Sequence, residues 1–186
     1  MLEHDIRPGV GMSGALAAAG SSEIGGPRMR SVYRIECVGA DGALKWVEEA
    51  ENLVVNAGLD DLLDKYFKGS GYTAAFFVGL KNTGTVAAGD TMASHGGWTE
   101  NTTYSNATRP ALTLGAVSSQ SVDNAAAKAS FDINDSTTIF GAFATTNSTK
   151  GGTAGTLYGA ANFASSRAVI SGDTLNVTVT LTAAAA

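Results

Sequence analysis

The clearest strand pattern in the chain is TLNVTVTLT, residues 174–182. Leu175, Val177, Val179 and Leu181 alternate with threonine and asparagine, so that every second side chain is apolar. Because successive side chains of a strand point to opposite faces of a sheet, this alternation predicts a strand that is half buried. One of its faces belongs to a core, and the other carries hydroxyl and amide groups.

The same alternation recurs upstream and predicts an all-β domain. Residues 32–38 alternate, the residues 39–42 (Gly-Ala-Asp-Gly) form a turn signal, and residues 43–47 return as a second strand, which predicts a hairpin. Further strands are predicted at residues 74–80, 127–134, 138–144 and 156–163. Many short strands separated by Gly, Asn, Ser and Thr turns indicate a mainly β fold, a β-sandwich or jelly-roll-like domain over residues 31–186.

One short helix interrupts the strands, at about residues 57–68. Asn56 is placed to cap its start, and Gly69 is placed to end it in the left-handed conformation. Its apolar residues recur at helical spacing, which predicts that the helix lies against a sheet. These residues are Leu59, Leu62, Leu63, Tyr66 and Phe67.

Residues 1–30 differ in composition from the rest of the chain and are predicted to form a flexible or extended N-terminal arm. They are rich in Gly, Ala and Ser and end in Gly25-Gly26-Pro27, which leaves too little apolar surface to offset the entropy of ordering. Two interpretations remain open: a disordered leader, or an arm that becomes ordered across a neighbouring subunit. Under the second, the contact candidates are Leu2, Ile6, Arg7, Val10, Met12, Leu16, Ile24, Arg28 and Arg30.

Composition excludes several function classes. The formal net charge of −5 argues against a general nucleic-acid binder, which needs a broad basic face. A single cysteine, Cys37, excludes an internal disulfide, and its place on the apolar side of a strand predicts an inert core residue. No run of 18 apolar residues is present, so that no membrane contact is expected.

Residues 81–110 form the longest stretch without a strand signal, and such a loop is usually functional or packed against something. His95 is the one imidazole in the part expected to be ordered, and a loop hydrogen bond beside Trp98 explains it better than catalysis. Trp98 and Tyr104 are protein-contact candidates or, alternatively, a stacking platform for a sugar. We expect no catalytic residue, metal ligand or cofactor, and therefore no enzyme.

Two groups of carboxylates are interpreted as having no metal-binding or catalytic role. Asp60, Asp61 and Asp64 lie on the predicted helix without the spacing of a calcium loop, which favours a solvated face. Asp90 and Glu100 lie in the long loop, but nothing in their spacing marks a glycosidase pair. From residue 101 onward there are only four acidic and four basic residues, which indicates a surface suited to contact with other protein.

Six blocks of sequence resemble a family of small structural proteins in the virions of tailed bacteriophages. The blocks are NLVVNAGLDDLLDKYFKGSGYTAAFFVGL, AAGDTMASHGGWTE, YSNATRPALTLG, SVDNAAAKASFDI, STKGGTAGTLYG and RAVISGDTLNVTVTLT. The resemblance covers about residues 45–182. None of the blocks is a catalytic motif, and residues 1–30 have no counterpart in it.

This resemblance implies a capsid decoration or cement role. The expected partners are the major capsid protein and further copies of this chain, as a dimer or trimer, with no direct nucleic acid. The expected location is the outer capsid surface of the virion, after synthesis in the bacterial cytoplasm. The alternatives are a tail, collar or fibre-attachment component of the virion or, from another class, a carbohydrate-binding module.

Overall fold

A computed structural model describes residues 28–72 and 74–184 of the chain. The predicted contact candidates from Leu2 to Ile24 lie outside the described residues. Half of the described residues are in strands and 8% are helical. The strands are β1 (Arg28–Val38), β2 (Leu44–Val54), β3 (Phe77–Gly84), β4 (Trp98–Asn101), β5 (Ser121–Asp123), β6 (Ala129–Asp132), β7 (Thr137–Thr145), β8 (Leu157–Val169) and β9 (Thr174–Ala184).

The strands form one antiparallel, open sheet in the order β4-β3-β7-β8-β2-β1-β9-β5, with β6 also paired to β9. Strand β2 changes partner halfway along its length: residues up to Glu51 pair with β1, and residues 52–54 pair with β8. The sheet therefore folds over on itself at β2 into two layers. One layer contains β1, β9, β5 and β6, and the other contains β8, β7, β3 and β4, which confirms the predicted β-sandwich.

The main core lies between the two layers. Tyr33 and Ile35 of β1 face the same cluster as Val78 of β3 and Ile139 of β7, and all four are fully buried. Each such side chain contributes about 1.5–3 kcal/mol by leaving water. The Tyr33 hydroxyl also donates a hydrogen bond to the carbonyl of Gly159 in β8, at 3.4 Å, and so ties one layer to the other.

A second, smaller core covers the outer face of β7 and β8. Phe143 and Leu157 on that face pack against Met92 and Trp98, which belong to the long loop and to β4. Residues 85–97 thus serve as a cover for the sheet. The loop that the sequence left unexplained is packed against the domain.

The predicted helix is present as α1 (Asn56–Leu62), which continues into a π-helical turn at Leu63–Phe67. Val55, not Asn56, is the N-cap residue, and no side chain caps the helix, so that the predicted capping role is wrong. Gly69 has the predicted left-handed backbone, with φ of 69°. Gly58 permits the contact with β8, because a Cβ atom there would lie 2.3 Å from the Tyr158 carbonyl oxygen.

The boundary of the predicted arm is shifted by the first strand. Arg28 and Arg30 belong to β1, where they pair with Ala184 and Thr182 of β9, so the sheet begins three residues before residue 31. The short strands β4 and β5 carry too few residues to show a period and were not predicted. Within residues 28–72 and 74–184, no helix has the length and apolar character needed to cross a membrane.

Candidate interaction surface

The helix and the turn after it expose apolar side chains to an unusual degree. Of the ten large apolar residues that are exposed in the described part of the chain, six lie between residues 59 and 72. Tyr66 is 78% exposed and Phe67 is 73% exposed. The expectation that the apolar side of this helix is covered by a sheet is therefore wrong, since Gly58 is its only buried position.

Spacing along the helix separates these residues into two surfaces. Leu59, Leu63 and Phe67 follow one another at intervals of four residues, and we call them the helix patch. Leu62 and Tyr66 face a cavity instead, which is described below. Contiguous exposed apolar surface of this kind marks sites of protein contact in soluble proteins.

The carboxylates of the helix are arranged as a solvated face. Asp64 accepts from Lys68 at 3.0 Å and from Lys65 at 3.3 Å. Hydrogen bonds from Lys68, Ser70 and Lys65 hold the pKa of Asp64 at about 2. Among the residues that the structure describes, no three His, Cys, Asp or Glu side chains cluster as metal ligands would.

An apolar groove opens at the end of the sandwich where β1 begins and β9 ends. Its volume is about 300 Å³, and we call it the end groove. Leu62 of α1 and Tyr66 of the π-helical turn line it, together with Met29 of β1 and Leu181 of β9. The remaining lining residues are Gly58, Asp61, Lys65, Tyr72, Phe76, Leu112, Ala144 and Tyr158.

Trp98 and Tyr104 do not belong to any surface. Trp98 is 3% exposed and Tyr104 is fully buried, so that neither ring can touch a partner or a sugar without local unfolding. The Trp98 indole donates to the Asp90 carboxylate at 2.8 Å, and Tyr104 packs edge-on against Phe131. Their predicted contact role is corrected to a role in the core.

His95 lies where the sequence placed it, beside Trp98. The two ring centroids are 4.3 Å apart, and His95 Nδ1 is 2.9 Å from the Thr91 carbonyl oxygen. This confirms the predicted loop hydrogen bond. Asp90 also accepts from the Ala87 amide, so its carboxylate holds the loop in place.

A buried ion pair, Glu100–Arg109, was missed by the sequence analysis. The Arg109 guanidinium forms two hydrogen bonds to Glu100, at 3.0 and 2.7 Å, and donates to the carbonyls of Asn147 and Gly152. The Gly151 amide donates to Glu100 as well. Because Arg109 is fully buried, every donor needs a partner, and the pair joins β4, which carries Glu100, to the loop of Arg109 and to the loop between β7 and β8. No short sequence motif predicts such a pair.

Lys81 and Cys37 are two further buried polar or reactive groups with structural partners. Lys81 donates to the carbonyls of Asn82 and Gly84 at 2.9 and 2.6 Å. Burial lowers the pKa of Lys81 to about 8, and the nearby Asp90 opposes this shift. Burial and the neighbouring Asp173 raise the pKa of the Cys37 thiol to about 11, which agrees with the predicted inert core residue.

Arg28 and Arg30 stand on the open end of the sandwich, close to the end groove. Arg28 is exposed at the start of β1, and Arg30 pairs with Glu51 on the outer face of the sheet. Both side chains are accessible, as a contact role requires.

No protein-family model, curated protein or solved structure matches the chain.

Proposed function

We propose that this chain is a non-enzymatic virion protein that decorates a bacteriophage capsid and stabilises it at junctions between major capsid proteins. The observation that carries the proposal is the helix patch of Leu59, Leu63 and Phe67. The domain buries most of its aromatic and aliphatic side chains in two cores, whereas these three follow one another on the exposed side of the helix and its turn, where no part of the described domain covers them. The resemblance of residues 45–182 to phage virion proteins supports the major capsid protein as the partner.

The polar chemistry of the domain supports a structural role. The carboxylates of Asp90, Glu100 and Asp173, and the amine of Lys81, are all engaged by groups of the domain itself. These contacts fix loops to the sandwich and keep the surface in one shape. A cement protein acts through area, shape and copy number, so a rigid body with a defined apolar patch suits that role.

The outer face of β9 supplies a second surface suited to a shell. Thr178, Thr180 and Thr182 alternate with inward-facing residues, and their half-buried hydroxyl groups lie along one row. These hydroxyl groups can form hydrogen bonds with a partner, and Arg30 and Arg34 of β1, the cross-strand neighbours of Thr182 and Thr178, add charged groups on the same face. We propose that the patch anchors the protein while this row adds area, in a symmetric dimer or trimer on the virion surface.

The test is binding to capsids that lack the protein. Leu63→Asp combined with Phe67→Asp places charge in the proposed contact and should weaken binding at least about a hundredfold, since two buried apolar side chains contribute roughly 1.5–3 kcal/mol each. The matched control is Val117→Asp, a change at a residue that is 74% exposed but far along the chain from the helix. It should leave binding unchanged.

Copy number decides between the virion roles. Quantitative mass spectrometry of purified virions should give a ratio to the major capsid protein near one. A dozen copies or fewer would assign the protein to the tail, collar or portal vertex. Its absence from the particle, or equal binding by the patch variant and the control, would overturn the proposal.

A further inference from the structure

We propose that the end groove is the docking site of this chain's own N-terminal segment, with Ile24 as the residue that enters it. The groove is apolar, about 300 Å³ in volume, and lies beside the point at which the chain enters the described fold. That volume equals the share of about ten water molecules in the liquid. Water held by Leu62, Phe76 and Leu181 would find few polar partners there, so an apolar side chain is the better occupant.

The place where the chain enters the sheet favours an occupant from the same chain. Met29 is itself a lining residue, and residue 27 is the last one before the described part. Ile24 precedes Met29 by five positions, and five residues span at most about 18 Å. Gly25 and Gly26 lie between them and supply the backbone freedom that a reversal of direction needs.

Pairing within the sheet leaves room at this point. Strand β1 pairs with β9 from Arg28 onward, but its pairing with β2 begins only at Val32. Residues 28–31 therefore have a strand neighbour on one side in the described fold, because β2 has already turned towards β8. An incoming segment meets no strand that it must displace.

Charge agrees with the same occupant. Lys65 and Asp61 are the charged residues among those that line the end groove. Glu23, next to Ile24 in sequence, carries the sign that pairs with Lys65, whose ammonium contacts Asp64 at 3.3 Å in the described fold. Residues 17–22 are Ala, Gly and Ser, whose small side chains add little bulk next to Glu23 and Ile24.

The tether strengthens a contact that would be weak between separate molecules. A short flexible linker gives its two ends an effective concentration in the millimolar range, so that a contact whose dissociation constant between separate molecules would be about 1 mM is half occupied. The inference applies to the free protein and does not depend on a capsid. It leaves residues 2–20 available for the intersubunit contacts predicted from the sequence.

A disulfide trap tests the inference in the full-length protein. The variant Ile24→Cys, Leu62→Cys keeps the native Cys37, which is buried and has a raised thiol pKa. Under mild oxidation it should form an intramolecular disulfide about tenfold faster than the control Ile24→Cys, Val117→Cys, although Val117 is 74% exposed and Leu62 only 37%, so that accessibility alone would favour the control. Peptide mapping identifies the linked residues, and the protein should remain monomeric on a non-reducing gel.

Each other outcome overturns the inference. Equal rates in the two variants would mean that the segment does not dock in the groove. Covalent dimers linked from residue 24 to residue 62 would mean that the occupant comes from a second copy. Limited proteolysis adds a readout free of new thiols: Ile24→Asp should speed cleavage within residues 16–24 about tenfold over the control Leu16→Asp, and equal rates would contradict docking.

Discussion

The long loop and the helix both contain large aromatic side chains, but the loop buries them and the helix and its turn expose them. Residues 85–97 and β4 bury Trp98 against Phe143, with an aspartate provided for the indole N–H. The π-helical turn leaves Tyr66 and Phe67 mostly exposed, with their two rings edge to face at a centroid distance of 4.9 Å. An aromatic residue with a buried polar partner has a structural role, whereas one without any covering element is free to meet another molecule.

Alanine substitutions should separate the two regions by their effect on folding. Trp98→Ala removes the centre of the outer core and leaves Asp90 without its indole donor, so we expect a loss of about 4–5 kcal/mol in the free energy of unfolding. Phe67→Ala, on the exposed turn, should change it by less than about 0.5 kcal/mol. Urea unfolding followed by circular dichroism measures both values.

The comparison fails if the two alanine variants are equally stable. A small loss for Trp98→Ala would mean that the loop is not a fixed cover of the sheet. A large loss for Phe67→Ala would mean that the turn packs against part of the protein and is not a free surface. Either result would remove the basis for assigning the helix patch to a partner.

Ion pairs repeat the contrast between buried and exposed groups. Arg109→Met leaves the Glu100 carboxylate buried beside an apolar side chain, and we expect a loss of about 3 kcal/mol. The Gly151 amide still donates to Glu100, which keeps the loss from being larger. Arg30→Met removes an exposed partner of Glu51 and should cost about 0–1 kcal/mol.

Thermal unfolding of the two arginine variants at neutral pH provides the measurement. Added salt sharpens it, because screening weakens an exposed pair more than a buried one. The stability difference between wild type and Arg30→Met should shrink in 1 M salt, and that between wild type and Arg109→Met should persist. Equal losses for both variants would contradict the view that Glu100–Arg109 holds the loops together.

How much the sequence predicted depends on whether a contact is local or distant. Alternation within residues 174–182 and 32–38 predicts the two strands that form the middle of one layer, because each strand carries its own period. The Glu100–Arg109 pair depends on loops that meet only after folding, and nothing local records it. Trp98 was misassigned for the same reason: the sequence shows a large ring on a loop but not the face of β7 that covers it.

For the helix, the sequence predicted the local structure but not what the apolar side of the helix contacts. Its periodicity was visible in the sequence, and its span of residues 56–67 was predicted closely. The pattern says that one side is apolar, but it does not say whether that side meets this chain or another molecule. The residues themselves are the same in either case, so that only the placement of α1 at the rim of the sandwich distinguishes them.

Lys81 gives a smaller effect than Trp98 or Arg109 and tests the buried groups of the domain through the pH dependence of stability. Its ammonium lies 5.7 Å from the centre of the Trp98 ring, and its pKa of about 8 is below the ordinary 10.5. Between those two values the unfolded chain binds a proton that the folded protein has released, so stability attributable to Lys81 rises with pH. Relative to Lys81→Met, wild type should gain about 2 kcal/mol between pH 8 and pH 10. Denaturant unfolding of both proteins across that range cancels the shared tyrosine titrations. If the stability difference between wild type and Lys81→Met does not change with pH, the Lys81 ammonium remains hydrated in the folded protein. Residues 85–97 would then pack less tightly on the sheet than the burial of Trp98 indicates.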